Sequence, residues 1–168
     1  MIYELAQVNI ARLRAPLESA ELADFVAALD PVNASADDAP GFIWRLQTEA
    51  GDATAIVAFE WDAADSAGVI VNMSTWRSID DLACWVYGDM HREVLRRRRE
   101  WFARVTEATV ALWWVPAGAR PTTQEAEERV RHLRAHGPTP EAFTFKEPFT
   151  APGDTHTLAG NPEWMCPA

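Results

Sequence analysis

Alternating apolar and polar positions predict four strands. Tyr3 to Leu13 and Phe42 to Thr48 alternate between two unlike faces, as half-buried strands do. Val69 to Trp76 and Thr109 to Val115 are more uniformly apolar, which is typical of buried strands. A weaker pattern at Thr54 to Trp61 lies among small and acidic residues and favours a loop or a lid over a strand.

Two helices are predicted between these strands from apolar residues at helical spacing. The first follows Pro16 and is expected to kink or end at Pro31, because proline lacks the N–H that the helix needs. The second follows Ser78, whose hydroxyl can cap it, and is expected to run to about Phe102. Gly88 lies inside it and costs about 1 kcal/mol relative to alanine, which favours a kink or a close backbone approach there.

A third helix is predicted from Thr123 to about His136, with Gly137 and Pro138 as its stop. Ala142 to Phe145 is expected to be a short final strand. The element order is then β-α-β-β-α-β with an added C-terminal α-β, which is an α+β fold. We expect one domain over residues 1–149 and a poorly ordered tail over residues 150–168.

Composition narrows the class of protein. The 168 residues carry a formal net charge of −10, which argues against nucleic acid as a partner. No apolar run approaches the roughly 20 residues that cross a bilayer, so we expect no membrane partner and a cytoplasmic location. Cys84 and Cys166 offer neither a disulfide framework nor paired metal-ligand spacing.

Polar residues on predicted strands are the first candidates for a site. Gln7 and Asn9 share one face of the first strand, where they can contact a ligand or hydrogen-bond neighbouring loops. Asn72 and Ser74 make one face of the central strand partly polar. If that face meets a cavity, the Asn72 amide can orient an enolate or phenolate oxygen. Otherwise these side chains simply form hydrogen bonds with buried backbone groups.

His91 is the leading chemical candidate, because a histidine exchanges a proton near neutral pH. At 100° per residue it lies on one helix line with Leu95 and Arg98, at the edge of the apolar stripe. A purely structural role for this ring is the alternative. Arg96 to Arg99 lie near the predicted helix C-terminus, where positive charges interact favourably with the negative end of the helix dipole. This run of arginines therefore needs no functional explanation. The pair His132 and His136 lacks a third metal ligand, so we expect no metal site.

Asn9, Trp76-Arg77-Ser78 and His91, taken together, resemble the dimeric α+β barrel superfamily. Within it the chain most resembles an uncharacterised bacterial family related to the antibiotic-biosynthesis monooxygenases. The resemblance covers roughly Tyr3 to Phe149. After Pro116 it is carried by VPAGARPT and HGPTPEAFTF, which resemble the uncharacterised family alone.

This resemblance implies a ferredoxin-like protomer that pairs with a second copy to form a dimeric α+β barrel, with a cavity between sheet and helices. It implies oxidation of flat aromatic molecules, often polyketides, by molecular oxygen without metal or flavin. Asn72 and Trp76 match the asparagine and tryptophan that hold the substrate in that branch. In the haem-degrading branch, Asn9 and Trp85 match two of the haem-site residues, but His91 comes about one turn too early for the haem ligand.

We therefore predict a small-molecule enzyme of secondary metabolism. Its substrate is expected to be flat and apolar or aromatic, like a polyketide. A cofactor-independent monooxygenase is favoured, with a cyclase, isomerase or dehydratase as variants. One alternative is a haem protein with His91 as axial ligand, and another is a non-catalytic dimeric binding or assembly module. His91, Asn72 and Trp76 are the predicted catalytic residues. The predicted substrate-binding residues are Gln7, Asn9, Ser74, Trp85, Tyr87, Leu95 and Arg98.

Overall fold

A computed structural model describes residues 1–155. Its sheet holds four strands, β1 (Tyr3–Arg12), β2 (Phe42–Arg45), β3 (Val69–Trp76) and β4 (Val110–Pro116), in the order β2-β3-β1-β4. The α-helices are α1 (Ala23–Asp37), α2 (Ile79–Val86), α3 (Asp89–Trp101) and α4 (Thr123–His136), with short 3-10 helices at Ala20–Leu22 and Glu60–Asp62. All neighbouring strands are antiparallel. This order and connectivity confirm the predicted α+β class with a ferredoxin-like arrangement.

The pairing of β1 with β3 decides which residues share a face of the sheet. Leu5 lies opposite Trp76, and Gln7 lies opposite Ser74. Asn9 lies opposite Asn72, and directly opposed residues of an antiparallel pair project to the same side. We call the side of the sheet to which these residues project the helix face. Helix α2 covers it at the end near Leu5 and Trp76.

The opposite face of the sheet is buried by α4. The Thr122 hydroxyl caps this helix by accepting a hydrogen bond of 3.1 Å from the backbone N–H of Glu125. The buried stripe of α4, Ala126, Val130 and Leu133, packs with apolar residues of the sheet such as Val8 and Trp113. Because this surface is already buried within one chain, a second copy cannot pack on it without displacing α4.

The helix predicted between Ser78 and Phe102 is in fact two helices. Ser78 caps α2 as expected, accepting a hydrogen bond from the backbone N–H of Asp81. The chain leaves the helical path at Tyr87, and Gly88 is the extended N-cap of α3. A side-chain carbon at Gly88 would lie only 3.1 and 3.2 Å from two carbonyl oxygens of α2, so glycine permits a tight junction. The helix does not run unbroken to about Phe102, but the kink or close backbone approach expected at Gly88 is confirmed, as a break between two helices.

Other boundaries also differ from the predictions. The first helix does not end at Pro31 but continues to Asp37; both Pro31 and Ala27, whose carbonyl loses its partner, are exposed, so water can replace the missing bond. Strand β2 stops at Arg45. The predicted final strand from Ala142 to Phe145 is reduced to isolated bridges, one of them between Phe143 and Leu112 at the edge of β4.

The segment between β2 and β3 is held firmly against the body of the domain. Asp62, only 4% exposed, forms ion pairs of 2.8 Å with Arg12 and 2.6 Å with Arg134. The backbone N–H of Phe59 donates to a carboxylate oxygen of Glu127 at 2.7 Å. Thr54 to Trp61 is therefore a loop with no strand, and these contacts anchor its end to β1 and α4.

The chain after α4 returns to the helix face. The side chain of Phe143 is buried with Leu5 and Leu112, and the indole N–H of Trp114 donates to the carbonyl of Phe149 at 2.8 Å. Phe149 also packs on Phe143, with ring centroids 5.8 Å apart. Residues 156–168 of the predicted tail lie outside the described residues. Within residues 1–155, no helix combines the length and the apolar character that crossing a membrane requires.

Candidate functional site

A hydrogen-bonded polar group lies on the helix face at the centre of the sheet. The Gln7 amide nitrogen donates to the side-chain oxygens of Asn72 and Ser74, both at 3.0 Å. The indole N–H of Trp76 donates to the same Ser74 oxygen at 2.8 Å. Gln7 thus uses both its N–H groups, and Ser74 accepts two hydrogen bonds.

This polar group runs from the core to solvent. Gln7 is 5% exposed and Ser74 is 4% exposed, whereas Asn72 is an exposed side chain in the middle of a central strand. Since α2 covers the neighbouring end of this face, the exposure of Asn72 marks where the helix layer leaves the sheet uncovered. The sheet here presents an amide at an opening.

Stacked aromatic rings connect this polar group to α3. Trp76 and Trp85 are stacked with ring centroids 5.6 Å apart, and the Trp85 ring lies 4.5 Å from the His91 imidazole. The indole N–H of Trp85 donates to the hydroxyl of Ser35 at 3.0 Å, which ties α2 to α1. Trp85 is therefore held from three sides.

His91 has a defined tautomer. Its Nδ1 lies 3.0 Å from the carbonyl oxygen of Val86, and because a carbonyl only accepts, Nδ1 carries the proton. In the neutral ring Nε2 is then the free base, and it has no hydrogen-bond partner among residues 1–155. Burial lowers the pKa of His91 below its ordinary value of 6.5 and outweighs the opposing effect of the Val86 carbonyl. The ring is neutral at physiological pH and can accept a proton or bind a ligand through Nε2.

We call this continuous set of residues the helix-face cluster. From α3 to the sheet it consists of His91, Trp85, Trp76, Ser74, Gln7 and Asn72. All six were predicted as site residues from the sequence, and the structure brings them into one series of contacts.

The remaining predicted residues lie at the margin or elsewhere. Asn9 is opposite Asn72, half-buried, and makes no side-chain hydrogen bond within residues 1–155. Leu95 is half-buried one turn beyond His91. Tyr87 is exposed and touches Phe145, and Arg98 is exposed, with its guanidinium donating to the Leu95 carbonyl. Within the described residues, neither the Tyr87 nor the Arg98 side chain forms a hydrogen bond or a ring contact with a residue of the cluster.

Trp76 has a different position from the one that stacking on a substrate requires. It is fully buried, between Phe42 and Trp85 and above Ser74. It therefore positions its neighbours, while Trp85 is only half-buried.

Sequence reasoning missed Ser35, the acceptor for Trp85. It lies in α1 beyond Pro31, where the helix was expected to kink or end, so no face could be assigned to it. A continuous helical count through Pro31 would have been needed to place it.

A metal site built from several side chains has no support within the described part of the chain. No group of three or more histidine, cysteine, aspartate or glutamate side chains there is arranged to hold a metal ion. The rings of His132 and His136 stack 4.4 Å apart, and His132 is engaged by Thr139 and Glu141.

Comparison with known proteins identifies a family without assigning an activity. No curated protein matches the chain. One family model, described as a domain of unknown function (DUF3291), matches residues 4–159, which include all of the sheet except Tyr3 and all of the helix-face cluster. The chain therefore belongs to the DUF3291 family.

Proposed function

We propose that this chain is a small-molecule enzyme that binds a flat, largely apolar or aromatic substrate at the helix-face cluster. The observation that supports it most strongly is the free Nε2 of a neutral, half-buried His91 beside the Trp85 ring. A neutral imidazole with a fixed tautomer is suited to general-base catalysis near neutral pH.

The polar end of the cluster suits an oxygen atom of the substrate. Gln7 donates to the side-chain oxygen of Asn72, which leaves the Asn72 NH₂ group as the donor toward the opening. That N–H would stabilise the negative charge that forms on a phenolic or enolic oxygen when His91 removes its proton. The half-buried Trp85 would supply apolar contact area to the substrate ring.

The favoured reaction is cofactor-independent monooxygenation, because the sequence resembles the relatives of antibiotic-biosynthesis monooxygenases. A phenol would give its proton to Nε2, and the resulting phenolate would reduce molecular oxygen. One oxygen atom enters the product as a quinone oxygen and the other leaves as water. The substrate supplies the two electrons and the two hydrogens that form this water. Cyclisation, isomerisation or dehydration would use the same base and the same oxygen-binding amide.

The test compares two histidine variants on a panel of polycyclic phenols. His91→Asn retains a donor near Val86 but removes the base, whereas His136→Asn makes the same change at a ring whose Nδ1 also faces a backbone carbonyl. We expect oxygen uptake and incorporation of labelled oxygen in the wild type and His136→Asn, and a loss of about 10²-fold or more in His91→Asn. Equal rates in all three proteins would reject His91 as the base.

A second candidate function is haem binding through His91. Metal-ligating histidines commonly donate their other ring N–H to a backbone carbonyl, as Nδ1 does to Val86. Titration with haem tests it: a Soret band that forms with the wild type and not with His91→Asn would support axial ligation. A wild type that yields no Soret band would exclude it.

The homodimer implied by the resemblance is part of the proposal. Since α4 covers one face of the sheet, the second copy must pair through another surface. Native mass spectrometry measures both the dimer and any retained small molecule. Ligand-free dimers across a broad substrate screen would favour a non-catalytic assembly module over the enzyme.

A further inference from the structure

A short backbone ladder extends the sheet from the end of β1 to the end of α3. The N–H of Arg14 donates to the carbonyl of Trp101, and the N–H of Ala103 donates to the carbonyl of Arg12, both at 2.9 Å. Leu13 and Phe102 form the antiparallel bridge between them. Side chains near this ladder are therefore carried on a well-supported backbone.

A concave site of about 220 Å³ opens beside this ladder. Three arginines, Arg14, Arg99 and Arg104, line it together with Phe102 and Ala103. The Phe102 ring is half-buried and packs edge-on against Phe25, with centroids 5.0 Å apart. We call this site the arginine pocket.

The charges of the arginine pocket are unbalanced within the described residues. None of its three guanidinium groups forms an ion pair with a carboxylate of residues 1–155, although the chain has a net charge of −10 and arginines such as Arg12 and Arg134 are paired. Three arginines around one concavity make the electrostatic potential there positive, which favours the binding of an anion. The pocket is thus a positive site on an acidic protein.

The favourable interaction of cations with a helix C-terminus explains at most one of the three. Arg99 lies in the last turn of α3, where that interaction operates. Arg14 lies two residues beyond the end of β1, and Arg104 lies three residues beyond the end of α3. Arg14 donates one N–H to the Arg99 carbonyl at 2.7 Å, which restricts its guanidinium and leaves its other N–H groups for a ligand.

We propose that the arginine pocket binds the phosphoryl group of a small organic phosphate. Guanidinium groups donate paired N–H bonds that match phosphate oxygens, and three of them can balance a dianion. The volume admits a phosphoryl group with a small organic part, which Phe102 and Ala103 would contact. This site is separate from the helix-face cluster and does not depend on its proposed chemistry.

Calorimetric titration with inorganic phosphate and phenyl phosphate tests the site. The double variant Arg99→Gln/Arg104→Gln removes two charges whose side chains make no hydrogen bond within residues 1–155, so the fold is expected to persist. Arg92→Gln is the control. Arg92 is also exposed on α3 and forms no ion pair with a carboxylate of residues 1–155, but it does not line the pocket. We expect saturable one-to-one binding that is about tenfold weaker or more in the double variant and unchanged in the control.

Tighter binding of phenyl phosphate than of inorganic phosphate, reduced in Phe102→Leu, would support contact with the organic part. Vesicles containing phosphatidic acid distinguish a lipid headgroup from a free phosphate, since only a headgroup site would give arginine-dependent vesicle binding. If the double variant has a lowered melting temperature, Arg104→Gln alone replaces it. Absence of saturable phosphate binding by the wild type, or equal binding by wild type and arginine variants, would overturn the proposal.

Discussion

The imidazole of His91 donates from Nδ1 to the carbonyl oxygen of Val86 at 3.0 Å, across the junction between α2 and α3. Val86 is the last residue of α2, so this carbonyl has no helical partner of its own. The bond therefore satisfies a helix terminus and, at the same time, leaves Nε2 as the basic nitrogen.

We predict that His91 makes the protein less stable in mild acid. Its pKa is lowered in the folded state, so the unfolded chain binds a proton first as the pH falls below 6.5. The free energy of unfolding should decrease from that pH down to the lowered folded pKa, and above 6.5 the ring should contribute no pH dependence. Urea unfolding on both sides of pH 6.5 measures this.

His91→Asn is the comparison for this prediction, because asparagine retains a donor toward Val86 and does not titrate. Its stability should fall less steeply than that of the wild type over the same range. Parallel stability curves for the two proteins would contradict a lowered pKa for His91.

We predict that Asp62→Asn destabilises the domain by about 3 kcal/mol, because it leaves Arg12 and Arg134 partly buried without their counter-charge. Burial alone would raise the pKa of Asp62, but hydrogen bonds from Arg134 and Arg12 hold it below the ordinary 3.8. Its stabilising contribution is therefore present above pH 3.8 and is lost as the pH falls through the lowered value.

Glu93→Gln is the matched control for Asp62→Asn. It removes the charge from an ion pair with Arg96 in which the two side chains are 64% and 69% exposed. Its effect on unfolding should stay within about 0.5 kcal/mol. A similar small effect for Asp62→Asn would mean that the Asp62 ion pairs do not hold the loop to β1 and α4.

We predict that Gly41→Ala is more destabilising than Gly118→Ala. Both glycines have positive φ, +80° and +83°, so alanine costs about 1–2 kcal/mol of backbone strain at either position. At Gly41 the new Cβ would overlap the Asp81 side chain, whereas nothing lies within 4 Å at Gly118. Thermal unfolding of the two variants isolates this overlap, and equal losses would show that Asp81 moves aside freely.

We predict that Ser74→Ala mainly lowers stability, whereas Asn72→Ala mainly lowers turnover. Ser74→Ala leaves the buried N–H of Trp76 without an acceptor and should cost about 1–3 kcal/mol. Asn72 also accepts a hydrogen bond from the buried Gln7 amide, but because Asn72 is exposed, water can replace that acceptor in the alanine variant. Asn72→Ala should therefore lose less stability than Ser74→Ala, and it should lose turnover if Asn72 binds the substrate oxygen. Denaturation and activity are measured on both; a strongly destabilised Asn72→Ala would make its role structural.

Local signals predicted much of the framework. The apolar patterns located the strands, and the capping hydroxyls of Ser78 and Thr122 began α2 and α4 where expected. Gly88 marked the position where the predicted helix breaks. Such features depend on residues a few positions apart, so they can be read from one segment at a time.

Features that depend on solvent access or on distant partners were predicted less well. Pro31 lies inside α1, because its side of the helix is exposed and water can take the lost bond. The stretch around Phe143 pairs only once with β4 and packs on the helix face instead of forming a strand. Whether a short apolar stretch becomes a strand depends on whether it can pair along a free edge of the sheet.

The sequence by itself determined the residue types of the helix-face cluster, its strands and the glycine between α2 and α3. Only the tertiary structure decided that Gln7 reaches both Asn72 and Ser74, that Trp85 lies between Trp76 and His91, and that Arg14 meets Arg99 and Arg104. The physical reason is that these contacts join residues of different strands and helices, and strand register and helix packing decide which of them meet.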